Sequence, residues 1–260
     1  MKEDFYVGYQ PKMPRAFVRT VKPFVIGLLA LAAGLAALFW LVQNPFPRSG
    51  FEFGTVRDFE GTIQFGPIPF LLVEKSSNGT RLPQFARFPL VGEGKHGVGE
   101  KLEAFDGQKV KLKGTLIYRN DLQMIEVLSD TVEQLPTVPS EPEERPHALG
   151  AYTLKGEIVD SKCYLGVMNP GQSKLHRDCA VACLRGGIPP LFIVRDAAGE
   201  VSELWLISET GTAVNAQILD FVAEPVEISG DVSRSGDQLF FRINPAQIKR
   251  LPSKTVSSAQ

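Results

Sequence analysis

Cysteine, histidine and tryptophan are scarce in this chain, with three, three and two residues among 260. The scarcity excludes several chemistries. No Cys-x-x-Cys pair occurs, which removes paired zinc knuckles and thioredoxin-type redox motifs, and no Cys-x-x-Cys-His occurs to attach a c-type haem. No Ser-His-Asp order, paired catalytic carboxylates or nucleotide-binding motif stands out. The loop from Gly92 to Gly99 has neither the Gly-Lys-Ser/Thr ending nor the following helix of a phosphate cradle. Its His96 reads as a solvated loop histidine. A strong charge of either sign is missing too, since 28 Lys and Arg face 29 Asp and Glu. Most of the positive excess lies in the first 22 residues. The remainder is mildly acidic, which argues against nucleic acid or anionic lipid as a partner.

One long apolar run is present. Residues 24–43 carry no charge and match the length a helix needs to cross the hydrocarbon core. Only a helix satisfies its own backbone there. Lys12, Arg15, Arg19 and Lys22 precede the run, so the positive-inside rule puts residues 1–23 in the cytoplasm and everything beyond Trp40 outside. The run is longer than a signal-peptide core, and no small-x-small cleavage site follows, so an uncleaved single-pass anchor is expected. Pro45 and Pro47 end it. Asn78-Gly79-Thr80 matches a glycosylation acceptor, which has no meaning in a bacterial host.

The rest reads as mainly β, in two similar halves. Residues 51–134 and 151–252 are separated by a proline-rich, semi-rigid linker over 135–150, which includes His147, and 253–260 form a polar tail. Each half closes on a hairpin of period-two alternation, from Lys109 to Val127 and from Pro225 to Ile243. Each first strand holds a glycine, Gly114 or Gly230, where a barrel would bend. Phe59–Ile63 resembles Leu154–Ile158, and Pro69–Val73 resembles Pro190–Val194. Together with a helix expected over 208–223, this predicts two OB-like five-stranded barrels, the second carrying an insertion of about 25 residues between those landmarks. Tyr118, Phe240 and Phe241 are the aromatics whose exposure would mark a ligand-binding barrel face.

The insertion holds every cysteine. Ser173 as N-cap, with Gly186, Gly187, Pro189 and Pro190 at the far end, predicts a helix over 174–185. On it His176, Cys179 and Cys183 share one face, and Cys163 can approach from the preceding loop. Three readings stay open. The four residues make a Cys₃His set for zinc or copper, with Asp160, Lys162 and Met168 as residues around it. Alternatively, Cys163 bridges to Cys179 or Cys183, because a Cys179–Cys183 bridge within a helix is too wide for good disulfide geometry. Finally, His176 could activate a thiolate for exchange or metal transfer.

The string Asp160-Ser-Lys-Cys-Tyr-Leu-Gly, then His176-Arg-Asp-Cys-Ala-Val-Ala-Cys, resembles a group of uncharacterised bacterial membrane-anchored periplasmic proteins. These share a D-x-x-C…H-x-x-C-x-x-x-C signature at the opening of an OB-like domain. The resemblance implies an inner-membrane setting with the body in the periplasm, and it brings no established activity. The opening Asp4-Phe-Tyr-Val-Gly-Tyr looks like the cytoplasmic start of accessory subunits of membrane complexes. A non-catalytic accessory or assembly protein, associated with an electron-transfer complex, is the resulting expectation.

Overall fold

Arg15–Val42 form α1, a helix of 28 residues that starts ahead of the uncharged run and so carries Arg15, Arg19 and Lys22 on its first turns. Its segment Phe17–Leu41 is long and apolar enough to cross a membrane, by length and composition. The computed structural model describes residues 14–42, 48–75, 84–136 and 146–252. The expected cytoplasmic start before residue 14, Pro45 and Pro47, the Asn78 acceptor, most of the linker and the tail from 253 lie outside those residues.

Arg48–Gln260 forms a second compact unit. Its first half contains β1 (Ser49–Phe51), β2 (Arg57–Gln64), β3 (Phe70–Lys75), β4 (Gln84–Val91), β5 (Lys109–Arg119), β6 (Leu122–Val127) and β7 (Glu133–Gln134). Its second contains β8 (His147–Asp160), β9 (Pro190–Arg195), β10 (Val201–Ser208), β11 (Pro225–Ser235), β12 (Gln238–Ile243) and β13 (Lys249–Arg250). In the first half β2–β3, β3–β4, β5–β6 and β2–β5 pair antiparallel, and a parallel β4–β6 contact closes the ring. The second repeats this order, with β8–β9, β9–β10, β11–β12 and β8–β11 antiparallel and β10–β12 parallel. Both are five-stranded OB-type barrels.

The closing hairpins turn at Asn120, with φ 51°, and at Gly236, with φ 59°. Gly114 and Gly230 sit where backbone crosses backbone. A Cβ at Gly114 would stand 2.6 Å from the Glu126 carbonyl oxygen, and one at Gly230 would stand 2.1 Å from that of Arg242. The helix expected over 208–223 is shorter than its sequence pattern implies. Only Asn215–Ile218 is α-helical (α3, below), followed by a 3₁₀ turn at Leu219–Phe221. Upstream, the Ser208 hydroxyl lies 2.7 Å from that of Thr212 and accepts from the Thr212 N–H, while Gly211 takes φ 79°. These local side-chain bonds compete with helix.

Three cores result, and strand alternation sorts the residues among them. Leu71, Val110, Leu112 and Ile125 fill the first barrel, and Phe192, Leu204, Leu206 and Phe241 fill the second. The opposite faces of the same strands make a third core. Phe70 and Leu72 of β3, Ile117 of β5 and Met124 of β6 meet Leu191 and Ile193 of β9 and Trp205 and Ile207 of β10. Phe70 packs edge-on against Trp205 and Phe240, at 6.2 and 5.9 Å between ring centroids. The two barrels are thus fused along a seam, and the linker joins halves that already share a core.

Candidate metal centre at the seam

The insertion leaves β8 at Asp160, whose side chain is fully buried. Its Oδ1 accepts the Cys163 N–H at 2.8 Å, and its Oδ2 takes the His176 Nε2–H at 3.0 Å. One carboxylate thereby sets the turn that carries Cys163 and fixes the imidazole. Residues 163–167 form a single wide helical turn. A 3₁₀ turn, Lys174–His176, leads into α2 (Arg177–Arg185), which accounts for the expected 174–185. Ser173 does not cap it with its side chain. Its φ is 69°, and its backbone N–H donates to the Glu157 carboxylate. Gly186 and Gly187, the latter at φ 94°, end the helix as expected.

The three sulfurs converge. Cys163 Sγ lies 4.0 Å from Cys179 Sγ and 3.9 Å from Cys183 Sγ, and all three thiols are free. Cys163 and Cys183 are buried within the seam core and Cys179 is half-buried at its edge. Two overlapping groups have donors close enough to hold a metal ion: Cys163, Cys179 and Cys183, and Asp160, Cys163 and His176. The imidazole therefore joins Asp160 and Cys163, not the complete sulfur triangle. Met168 is 46 % exposed on the outside of the insertion.

The first barrel closes the site, a role that sequence alone did not reveal. Its loop from Gly92 to Gly97 lies against the end of α2, where Gly97 N–H donates to the Gly186 carbonyl at 2.8 Å. A Cβ on Gly186 would collide with the Lys95 carbonyl oxygen, so only glycine fits there. Lys95 is exposed on this loop, with its charge close enough to Cys179 for the thiol to raise its pKa. Lys162, only 2 % exposed, reaches into this loop. It donates to the carbonyls of Gly92 at 2.7 Å and Gly94 at 2.6 Å and pairs with Glu126 of β6. Arg119 of β5 completes the clamp. Its Nε donates to the Tyr164 carbonyl at 2.6 Å, and its guanidinium lies 4.2 Å from the centre of the Tyr164 ring. The Tyr164 hydroxyl donates to Glu203 of β10 at 3.3 Å.

Electrostatics differentiate the thiols. The Cys183 thiol is lowered, chiefly by the hydrogen bond from Cys163 and further by the Lys95 charge. Cys163 moves up, because it is the donor in that pair and is buried beside Asp160. Lys95 is raised by Cys179, and burial raises Tyr164 and Glu203. Negative charge on sulfur is thus favoured at Cys183.

The other named residues fall elsewhere. His96 and His147 are exposed. Phe241 lies inside the second barrel, Phe240 packs in the seam, and Tyr118 is half-buried beside Gly50. Lys95, Arg119, Glu126 and Glu203 were not singled out from sequence. A signal for the seam existed nonetheless: Phe70–Val73, Leu191–Val194 and Leu204–Ile207 are continuous apolar runs, the mark of strands covered on both faces.

Comparison with known proteins adds little. No family model matches the chain, and no curated protein matches it. Among solved structures, a deletion mutant of the single-stranded DNA binding protein from Thermus aquaticus aligns over 82 % of this chain and 92 % of its own. The identity is 11 % and the TM-score 0.23, a likeness too slight to bear on fold or function.

Proposed function

We propose that this chain is a membrane-anchored, non-catalytic accessory protein whose fused barrels hold a thiophilic metal ion through Cys163, Cys179 and Cys183. The carrying observation is the sulfur triangle, with separations of 3.9 and 4.0 Å, set in an apolar seam that both barrels enclose. An ion in the plane of such a triangle lies about 2.3 Å from each sulfur, which is a metal–thiolate bond length. Asp160 and His176 hold the Cys163 turn in place from behind.

The non-catalytic reading rests on access. A cavity of about 450 Å³ opens on the first barrel, lined by Val98, Leu102, Phe105, Val127 and Val132 among others, and none of the sulfur-site residues lines it. The outer faces of β3, β9 and β10, where OB barrels bind oligonucleotides and sugars, are buried against each other in the seam. That disfavours a nucleic-acid or carbohydrate partner. The cations ahead of the apolar helix support an N-terminus in the cytoplasm and a body in the periplasm of a bacterial inner membrane. An N-terminal anchor ahead of a two-barrel body suits docking on a membrane complex, an electron-transfer assembly among the options.

Metal content by mass spectrometry, with a parallel thiol count, tests this on Arg48–Gln260 purified from the periplasm. One equivalent of metal, lost in Cys179→Ser, is expected. A metal-free protein with one reactive thiol would replace this reading by a structural disulfide at the same cysteines. Rapid exchange with a disulfide substrate would instead favour thiol chemistry.

A further inference from the structure

Resting on the metal-site reading above, we infer that the site is three-coordinate and takes monovalent copper, Cu(I), in preference to zinc, with the Lys95 loop of the first barrel packed beside it. The argument turns on the fourth donor. Zinc in closed protein sites is almost always tetrahedral, so three sulfurs need an imidazole, a carboxylate or a water to complete them. Among the described residues no histidine nitrogen or carboxylate oxygen groups with all three sulfurs; the nearby imidazole and carboxylate group with Cys163 alone. His176 Nε2 is held by Asp160 Oδ2 at 3.0 Å, and both side chains are buried, so recruiting the ring would break a buried pair and leave a carboxylate unpaired.

Water is no easier a fourth ligand. Cys163 and Cys183 are 4 % and 1 % exposed and belong to the apolar seam core, which keeps solvent out. The half-buried sulfur, Cys179, lies on the helix whose end packs against the loop that carries Lys95. An ammonium has no lone pair to offer a metal, and it repels a dication twice as strongly as a monocation at the same distance. Copper(I) needs none of these missing parts. Thiolates are its preferred donors, and a planar three-sulfur set accommodates it.

Lys162 grips the carbonyls of Gly92 and Gly94, and Gly97 bonds to Gly186, so the loop is tied to the insertion on both sides of Lys95. The ion's enclosure is therefore a product of both barrels, with ligands from one and a packed loop from the other.

The test uses the full chain in detergent micelles, reduced and free of metal. It is titrated without oxygen with Cu(I) against a chromogenic chelator, and separately with zinc against a zinc indicator, followed by X-ray absorption on each loaded form. One Cu(I) per chain is expected, with a shell of three sulfurs at about 2.3 Å and no nitrogen. Zinc is expected to bind more weakly than the indicator. Lys95→Met should narrow the preference for Cu(I) over zinc by about 10-fold, because it removes a charge that repels the dication more strongly, and an unchanged preference would remove Lys95 from the inference. His176→Gln should keep one-to-one Cu(I) binding with the sulfur shell unchanged. Tight zinc with three sulfurs and one nitrogen, lost in His176→Gln, would overturn this inference and leave the metal-site reading standing. Binding of neither metal would overturn both.

Discussion

The two barrels share one strand order but differ in what fills the step from their first strand to their second. In the first barrel a tight turn joins β2 to β3. In the second, the chain between Asp160 and Pro190 makes a wide turn and a short helix that carry all the thiols. The comparison teaches that the repeat supplies a platform and the insertion supplies the chemistry. The plain barrel is still no spectator. It contributes six of the sixteen buried residues of the seam core and, through Glu126 and Arg119, charges that hold the insertion.

If the seam is as integral as either barrel interior, damage there must unfold both halves. Trp205 is the sharpest place to break it. It is fully buried, meets Phe70 of the other barrel, and donates to Gln238 at 2.7 Å. Trp205→Ala should cost about 3–5 kcal/mol, read from urea unfolding of Arg48–Gln260 by far-UV circular dichroism. In the unsubstituted fragment, Trp205 is the lone tryptophan, since the other of the chain's two is Trp40. Its fluorescence therefore reports the seam directly, and its transition should coincide with the circular dichroism transition. Two separate transitions would show that the barrels melt independently.

Next in size is the clamp. Lys162→Met leaves Glu126 without its buried partner and frees two loop carbonyls, at about 3 kcal/mol, measured by the same unfolding curves. A change below about 1 kcal/mol would mean that the loop does not depend on Lys162.

A smaller effect separates the two sides of the seam by pH. Burial raises the Glu203 carboxyl above its ordinary value, so the folded state holds that proton more tightly than the unfolded chain. Its contribution is therefore favourable at acid pH and is lost as pH rises from about 4.3 through the folded value. Glu203→Gln keeps an acceptor for Tyr164 and should flatten that decline, as followed by urea midpoints between about pH 4 and 7. An unchanged pH profile would remove Glu203 as its source. The smallest effect is expected at Lys101–Asp130, whose side chains are 84 % and 94 % exposed and 3.7 Å apart. Lys101→Ala should shift stability by less than about 0.5 kcal/mol, and a larger change would mean that the adjoining cavity wall depends on it.

Much of this architecture was legible in order along the chain. The apolar run became α1, the glycines Gly114 and Gly230 stand where each barrel bends, and the matched segments around Gly61 and Gly156 became the equivalent strands β2 and β8. The convergence of Cys163 with Cys179 and Cys183 followed from helical spacing plus one flexible approach. His176 shows where spacing stops being informative. It shares the expected helix face with the cysteines, yet Asp160, sixteen residues away in sequence, claims its ring. Which donor a buried imidazole meets is set by how the strand end and the helix start pack, and periodicity says nothing of that.

The sequence by itself determined the long apolar helix, the mainly β character, the likeness of the two halves and the gathering of thiols in one insertion, because each depends on local pattern: hydrophobic length, period two, and turn residues. Only the tertiary structure decided that the two barrels share a third core, that Lys162 holds the carbonyls of Gly92 and Gly94, and that Gly97 of the same loop meets the end of the helix at Gly186. Such pairings join positions more than 60 residues apart, and they exist because apolar strand faces with no other cover bury one another.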